Sequence, residues 1–327
     1  MRHLLPLPEG TMFRQLLYPL FLIIMWILAE TRFRKSLILM RYMPLNPKRV
    51  NMSVFFLILK KQIPVDVLPN RKKEYLLNYF QKIPLEERKK VKYACSDMYE
   101  VYRDVVHKVF PSCCMLLDYF HLSQDFHRKM NEVRIKVMKG YKDNKASDEY
   151  YLLKKFNWLL FKNPEDEDKY GRLFDVERER KYNSHFKSYM NYYDLRKKLL
   201  EINNDLTICY SLKLELVDFY SKSTIDNAQV NLEHLIRSCI DTNIDEMIAF
   251  SNNLINWKQE IINSFTIVGT EYKVEADKGQ VVVCNKKVNN AIIENRNKII
   301  KCIKNNANGY TNWSRFRNRV MYVLDPN

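Results

Sequence analysis

The spacing of apolar positions divides the chain into stretches of different texture. Leu16 to Ala29, LLYPLFLIIMWILA, is one continuous apolar run, shorter than the ~18–20 residues of a membrane span. It has the length of a signal-peptide core, but Glu30-Thr31-Arg32 follows where a cleavage site would need small residues. A buried strand or helix is the ordinary reading, and a membrane anchor is the lesser one. Val54 to Leu59 is a second apolar run. From Lys61 onward, short runs alternate with amphipathic stretches. Lys61–Leu68 predicts a strand entering a turn at Pro69-Asn70, and Arg71–Gln81 a helix with Tyr75, Leu76, Tyr79 and Phe80 on one face. Glu86–Lys90 is a charged connector and Val91–Cys95 a strand. Tyr99–Phe110 is a helix with Val101, Tyr102, Val105, Val106 and Val109 on its apolar side. Cys113–Leu117 predicts another strand and Leu122–Lys139 a long helix. Strands alternating with helices imply parallel pairing in an α/β sheet.

Between Tyr141 and Phe265 the strand signal nearly vanishes. Periodic segments near 149–162, 183–203, 205–222, 228–239 and 243–264 predict helices, and together an all-helical insertion. Thr266–Cys284 alternates in the strand manner around Asp277-Lys278-Gly279, which predicts a hairpin. The chain closes on two amphipathic helices, Ala291–Lys304 and Trp313–Leu324, separated by a stop at Asn308-Gly309.

Charge sharpens this picture. The 327 residues carry a formal net charge of +16, which calls for an acidic partner, nucleic acid or an anionic membrane. Hydrophobic content of 46% supplies ample core and excludes wholesale disorder. The seven cysteines show no zinc spacing and read as reduced thiols of a cytoplasmic protein, with Cys113-Cys114 in an apolar run.

The cations crowd around one acid. Glu294 opens the first C-terminal helix among Arg296, Lys298, Lys301, Lys304, Arg315, Arg317 and Arg319, with Tyr310, Trp313, Phe316 and Tyr322 interleaved. An acid that keeps its charge there suggests a metal ligand beside a polyanion. A solvated basic helix with a salt-bridged Glu is the commoner case for any single charge. Asp97 and Asp118 each follow a predicted strand, where open α/β sheets gather reactive groups. Hard divalent cations take such oxygen ligands, and a pair of cations clamps both the attacking and the leaving oxygen of a phosphodiester. An Asp before a helix is equally a common N-cap. His121, three residues after Asp118, either bonds a carboxylate or phosphate or is a satisfied buried histidine.

Several of these residues lie on motifs. Asp97-Met98, Phe110-Pro111, Asp118, Phe120-His121, Asn131 and Val133-Arg134 occur in an order and spacing that resemble the ISL-three group of bacterial insertion-sequence transposases with a DDE domain. Asn290, Glu294, Asn297, Ile300-Lys301, Gly309-Tyr310, Phe316-Arg317 and Arg319 resemble the far end of that family, and the segment from Pro64 is similar to the stretch between its first two acids. The resemblance implies an α/β fold with an RNase H-like core interrupted by a helical insertion. It also implies carboxylates holding a pair of Mg2+ ions for strand cleavage and transfer at transposon ends. Asp97 would be the second acid and metal ligand and Glu294 the third, with Asp118 and His121 supporting. The basic residues around Glu294 would hold DNA, with a homodimer on DNA as the assembly and no small-molecule substrate.

The family's first Asp, expected within the ~40 residues before Ile63, has no counterpart, because no Asp precedes Asp66. Asp66 itself lies between Pro64 and Pro69, in the context of a later strand. The composition break near Lys60 and the loss of this acid point to a shifted reading frame or a truncated element for residues 1–60, and hence to an incomplete N-terminal part of the core. The expected organisation is an atypical segment 1–60, a first part of the catalytic core 61–140, the helical insertion 141–265, and the end of the core 266–327 with its basic helices. The function implied is transposase-type DNA cleavage and transfer with a divalent metal, and the alternative is a DNA-binding remnant without catalysis.

Overall fold

The computed structural model describes residues 36–41, 54–58, 63–274, 281–287, 291–307, 310 and 312–324. The expectations for Leu16–Ala29, for the turn at Asp277-Lys278-Gly279 and for the stop at Asn308-Gly309 lie outside the described residues. The chain divides into two units, Met1–Leu116 with Asn289–Asn327, and Leu117–Val288.

The first unit is built on a sheet of β1 (Ser36–Arg41), β2 (Val54–Ile58), β3 (Ile63–Leu68), β4 (Val91–Ser96) and β5 (Cys114–Leu117), in the order β3-β2-β1-β4-β5. β1 runs antiparallel to β2, with Leu39 opposite Leu57, and β2 antiparallel to β3, with Phe55 opposite Val67. β1 is parallel to β4, with Leu39 opposite Cys95 and Met40 opposite Ser96. The sheet is therefore mixed, where alternation of strands and helices had implied parallel pairing. The physical reason is the connections. β1, β2 and β3 follow one another without an intervening helix among the described residues, and a short link joins antiparallel neighbours whereas a parallel pair needs a long crossover. Among the described residues the first strand of the sheet starts at Ser36, inside the stretch 1–60 expected to be atypical. Short apolar runs such as VFFLI do not separate strand from helix by periodicity, which is why β2 was not legible as one.

Between β3 and β4 lie α1 (Lys73–Gln81) and α2 (Leu85–Lys89), and α3 (Glu100–Val109) joins β4 to β5. The expected charged connector at Glu86–Lys90 is thus largely the short helix α2. On α3, Tyr102, Val105, Val106 and Val109 are fully buried, the i, i+3, i+4, i+7 stripe of a helix lying on a core. They pack with Leu76 and Phe80 of α1 and Ala94 of β4. Phe80 meets Phe110 edge-on at 5.2 Å between centroids. Burial of this kind stabilises by ~1.5–3 kcal/mol per large apolar side chain.

The second unit opens with the 21-residue α4 (Tyr119–Lys139) and continues with α5 (Asp148–Lys155) and a 3-10 turn, Asn157–Phe161. Two small hairpins follow, β6 (Glu167–Asp168) with β7 (Gly171–Arg172), and β8 (Lys181–Asn183) with β9 (Ser188–Met190). Gly171 takes φ +97° in the first of them, a conformation that L side chains rarely adopt. α6 (Tyr192–Glu201), α7 (Asn204–Lys222), α8 (Ala228–Asp241), α9 (Asp245–Asn256) and α10 (Lys258–Asn263) complete the helical part. β10 (Ile267–Val274) pairs antiparallel with β11 (Val281–Lys287), so the expected hairpin is present. The region is not all-helical, and the expected helix 183–203 is a hairpin up to Met190 and a helix only from Tyr192. The dividing signal is Asn191. Its side chain accepts from the Asp194 N–H, and Asp194 accepts from the Asn191 N–H in return, a capping box that fixes where α6 starts. The Asn191 amide also donates to the carbonyls of Val176 and Arg178, at 3.1 and 3.2 Å, and so ties the loop to the helix. α4 packs against α7 and α9, with Phe126 against Phe250 at 5.0 Å.

Lys213 on α7 is an anomaly in this core. It is 1% exposed, donates to the carbonyls of Leu160 and Lys162, and burial pushes its ammonium down to about 8. With the folded value below that of the unfolded chain, the unfolded state binds the extra proton between about pH 8 and 10.5. Stability conferred by this group therefore rises with pH across that window. Chemical denaturation of the wild type and Lys213→Met is expected to show the difference changing by about 3 kcal/mol between neutral pH and pH 10.5. A flat difference would contradict the assignment.

The chain then returns to the first unit with α11 (Ala291–Asn306) and α12 (Trp313–Leu324). On α12, Phe316, Val320 and Leu324 form a buried i, i+4, i+8 stripe, and this helix packs against β3. Among the described residues no helix is long and apolar enough to cross a membrane.

Candidate functional site

β4 is buried at Ala94, Cys95 and Ser96, and Asp97 follows it directly. The N-cap residue of α3 is Tyr99 and not Asp97, and the Tyr99 side chain makes no capping hydrogen bond. The Asp97 carbonyl instead accepts from the Tyr99 N–H at 2.8 Å and from the Ser96 hydroxyl at 2.9 Å, which ties the strand into the helix and fixes the backbone of the acid. A cation that sequence reasoning missed lies beside this loop. The Arg71 guanidinium sits 4.8 Å from the Tyr99 ring centroid. Its only sequence signal was the basic run Arg71-Lys72-Lys73, which reads as a helix start.

β1, the parallel neighbour of β4, reads Ser-Leu-Ile-Leu-Met-Arg and carries no acid. α11 packs beside the same strand. Glu294 is the fourth residue of that helix, and Asn297 follows one turn later. Asn297 is 5% exposed, and among the described residues its Oδ1 has no hydrogen-bond partner, a rare state for a buried amide. The backbone thus brings the end of β4 and the helix of Glu294 to one central strand. Among the described residues no group of three acidic, His or Cys side chains is arranged to hold a metal ion.

Asp118 and His121 belong to the second unit. Asp118 is 3% exposed and occupies the N-cap position of α4 without capping it through its side chain. Its carbonyl accepts from the His121 N–H at 3.1 Å, and its Oδ2 stands 3.6 Å from His121 Nε2. They form a mutually oriented pair.

The seven expected DNA-binding cations separate by exposure. Lys298, Lys301, Arg315 and Arg319 are exposed and Arg296 is half-buried. Lys304 is buried, and burial lowers its ammonium below the ordinary lysine value. Arg317 faces inward. Its Nε donates to Asp66 Oδ1 at 2.6 Å, while the Tyr79 hydroxyl donates to Asp66 Oδ2 at 2.7 Å. Burial first, and the Asp66 charge second, hold the Tyr79 hydroxyl well above its ordinary value. Burial opposes ionisation of Arg317, but the bond to Asp66 leaves its guanidinium above the usual arginine range. With both oxygens engaged and 2% exposure, Asp66 anchors α12 and α1 to β3. Burial also pushes the Cys113 thiol up to about 12, which keeps it an inert core group.

The donor chemistry around β1 suits a hard cation. Asp97 offers a carboxylate and Asn297 a buried carbonyl oxygen. Mg2+ commonly binds through one or two carboxylates together with waters and substrate phosphates. A family model described as "Transposase", for the DDE domain of the ISL-three type, matches residues 46–276. No curated protein and no solved structure matches the chain. The matched stretch takes in β2 to β5, Asp97, Asp118 and His121, and ends before Glu294. It spans well over half of the chain, and the chain belongs to the ISL-three group of DDE transposases.

Proposed function

We propose that the chain cuts and joins DNA phosphodiesters at the ends of a mobile element, using a divalent cation held by Asp97 and Glu294. The observation that carries this reading is the junction at β1. Asp97 closes the parallel neighbour of that strand, and the helix of Glu294 packs beside it. The order β3-β2-β1-β4-β5, an antiparallel meander continued by a strand parallel to β1, supports an RNase H-like core. When bound, the cation supplies charge stabilisation at the phosphoryl oxygen and acidifies the attacking hydroxyl. The chain's own residues do the rest. The two carboxylates fix where the scissile phosphate sits, and Asn297 Oδ1 accepts a hydrogen bond from a water at that place. Lys298, Lys301, Arg315 and Arg319 hold the flanking phosphates, setting position without reading sequence.

With no acid on β1, the two carboxylates would need phosphate oxygens of DNA beside them to hold the cation. A strand-cleavage assay on duplexes carrying the element's ends is expected to give metal-dependent nicks that a chelator abolishes. Binding to the same duplex is expected to weaken with salt, and the slope of log affinity against log salt to fall by about one for each exposed cation neutralised. Cleavage indifferent to chelator, or binding indifferent to salt, would overturn the reading.

A further inference from the structure

The mechanism leaves one surface of the second unit unused, and it lies on the hairpins that the sequence did not announce. Tyr170, Tyr182 and Tyr189 are 67%, 58% and 68% exposed. Among the described residues only Tyr75 and Tyr322 join them as exposed tyrosines. Tyr182 and Tyr189 are register partners across β8 and β9, with centroids 5.4 Å apart in an edge contact. Tyr170 stands at the turn of the first hairpin and is ringed by cations. Lys169 Nζ is 4.6 Å from its centroid, Lys181 Nζ 5.9 Å and the Arg178 guanidinium 6.0 Å. Between the hairpins and α5 opens a cavity of about 290 Å³ that Tyr170, Tyr182, Arg178, Lys181 and Glu179 help to line. Ligand pockets begin near ~300 Å³.

Two arginines at this surface are paired with carboxylates. Asp168 is paired with Arg178 at 2.6 Å and Asp194 with Arg180 at 3.0 Å. Among the described residues no carboxylate lies within salt-bridge distance of Lys169, Lys181 or Lys187. Exposed rings alternate here with ammonium groups, and Glu165, Glu167, Glu177 and Glu179 lie on the same segment. Such rings offer π-faces to bases of any identity, and the ammonium groups offer counter-charges to a backbone. A duplex keeps its bases stacked and hidden, so a platform of rings selects unpaired nucleotides.

We propose that the two hairpins form a site for unpaired DNA bases, with Tyr170, Tyr182 and Tyr189 as stacking surfaces and Lys169, Lys181 and Lys187 as phosphate contacts. The site gives the chain a hold on the single strand that cutting exposes, separate from the duplex hold of the C-terminal helices. It rests on the reading of the chain as one that acts on DNA.

The test uses the full chain and fluorescence anisotropy with three probes of one length: a thymidine oligonucleotide, an abasic oligonucleotide and a duplex. The wild type is expected to prefer the thymidine strand to the abasic one. Tyr170→Ala, Tyr182→Ala and Tyr189→Ala are each expected to weaken that strand about fivefold or more, the range of a lost base stack, with the duplex unaffected and Tyr182→Phe close to wild type. Replacing Arg315 and Arg319 by glutamine is expected to weaken the duplex and to leave the preference for bases intact. Equal binding of thymidine and abasic strands, or a preference that survives the triple tyrosine variant, overturns the proposal while duplex binding still supports the wider DNA reading. Self-association that the triple variant abolishes, read by light scattering, would assign the surface to a second copy of the chain and also overturn it.

Discussion

Asp97→Ala is expected to lower metal-dependent cleavage of element-end DNA about a thousandfold, with duplex binding within twofold of the wild type. The magnitude follows from what a ligand contributes. Losing one carboxylate from a metal site removes several kcal/mol of transition-state stabilisation, and about 4 kcal/mol corresponds to a factor near a thousand. Glu294→Ala is expected to match it, and the double variant to fall little further, because ligands to one ion act as a unit. The Asp97 backbone is fixed by the Ser96 hydroxyl and the Tyr99 N–H through its carbonyl, so alanine leaves the turn in place. Asp118→Ala is expected to differ, since that carboxylate is oriented toward His121 and its loss disturbs the pair in the second unit. Cleavage by Asp97→Ala at the wild-type rate would contradict the assignment.

Arg317→Met is expected to destabilise the first unit by about 3 kcal/mol, the cost of leaving one partner of a buried ion pair uncompensated. The partner is Asp66, 2% exposed and left with the Tyr79 hydroxyl and the Val67 N–H. The pair holds α12 to β3, so urea unfolding followed by Trp313 fluorescence should report it as an earlier midpoint. Converting Asp66 to leucine in the same chain is expected to recover much of the loss, because an apolar pair of similar volume often replaces a buried ion pair without penalty. Arg315→Gln provides the contrast. Arg315 is exposed on the same helix, and its replacement should move DNA affinity and leave the midpoint alone. A midpoint unchanged by Arg317→Met would contradict the anchor.

The division between Arg315 and Arg317 shows where sequence reading stops. Both stand in one basic helix, and composition assigns them one role. Only the packing of α12 on β3 turns one toward Asp66, a residue 251 positions away. Elements with a strong period were legible. α3, α12 and the β10–β11 hairpin lie where apolar spacing predicts them, since burial of one face imposes that spacing. β1 and β2 were not, because SLILMR and VFFLI are nearly unbroken apolar runs whose partners lie elsewhere in the chain. The small hairpins at 167–190 were hidden for the opposite reason. Their strands are two or three residues long and mostly exposed, so no alternation builds up, and the Asn191 capping box decides where helix resumes. Asp97 was singled out from its place after an apolar strand, and the structure gives the N-cap position there to Tyr99.

The lack of an acid on β1 bears on how the proposed cation would be held, since a pair of carboxylates would need the phosphates of DNA to finish the shell. Electron paramagnetic resonance of Mn2+ titrated into the full chain, with and without end duplex, tests this. About one Mn2+ per chain is expected in the presence of the duplex and little in its absence, with the DNA-dependent signal lost in both Asp97→Ala and Glu294→Ala. Mn2+ bound equally well without DNA, or retained by those two variants, would contradict the account.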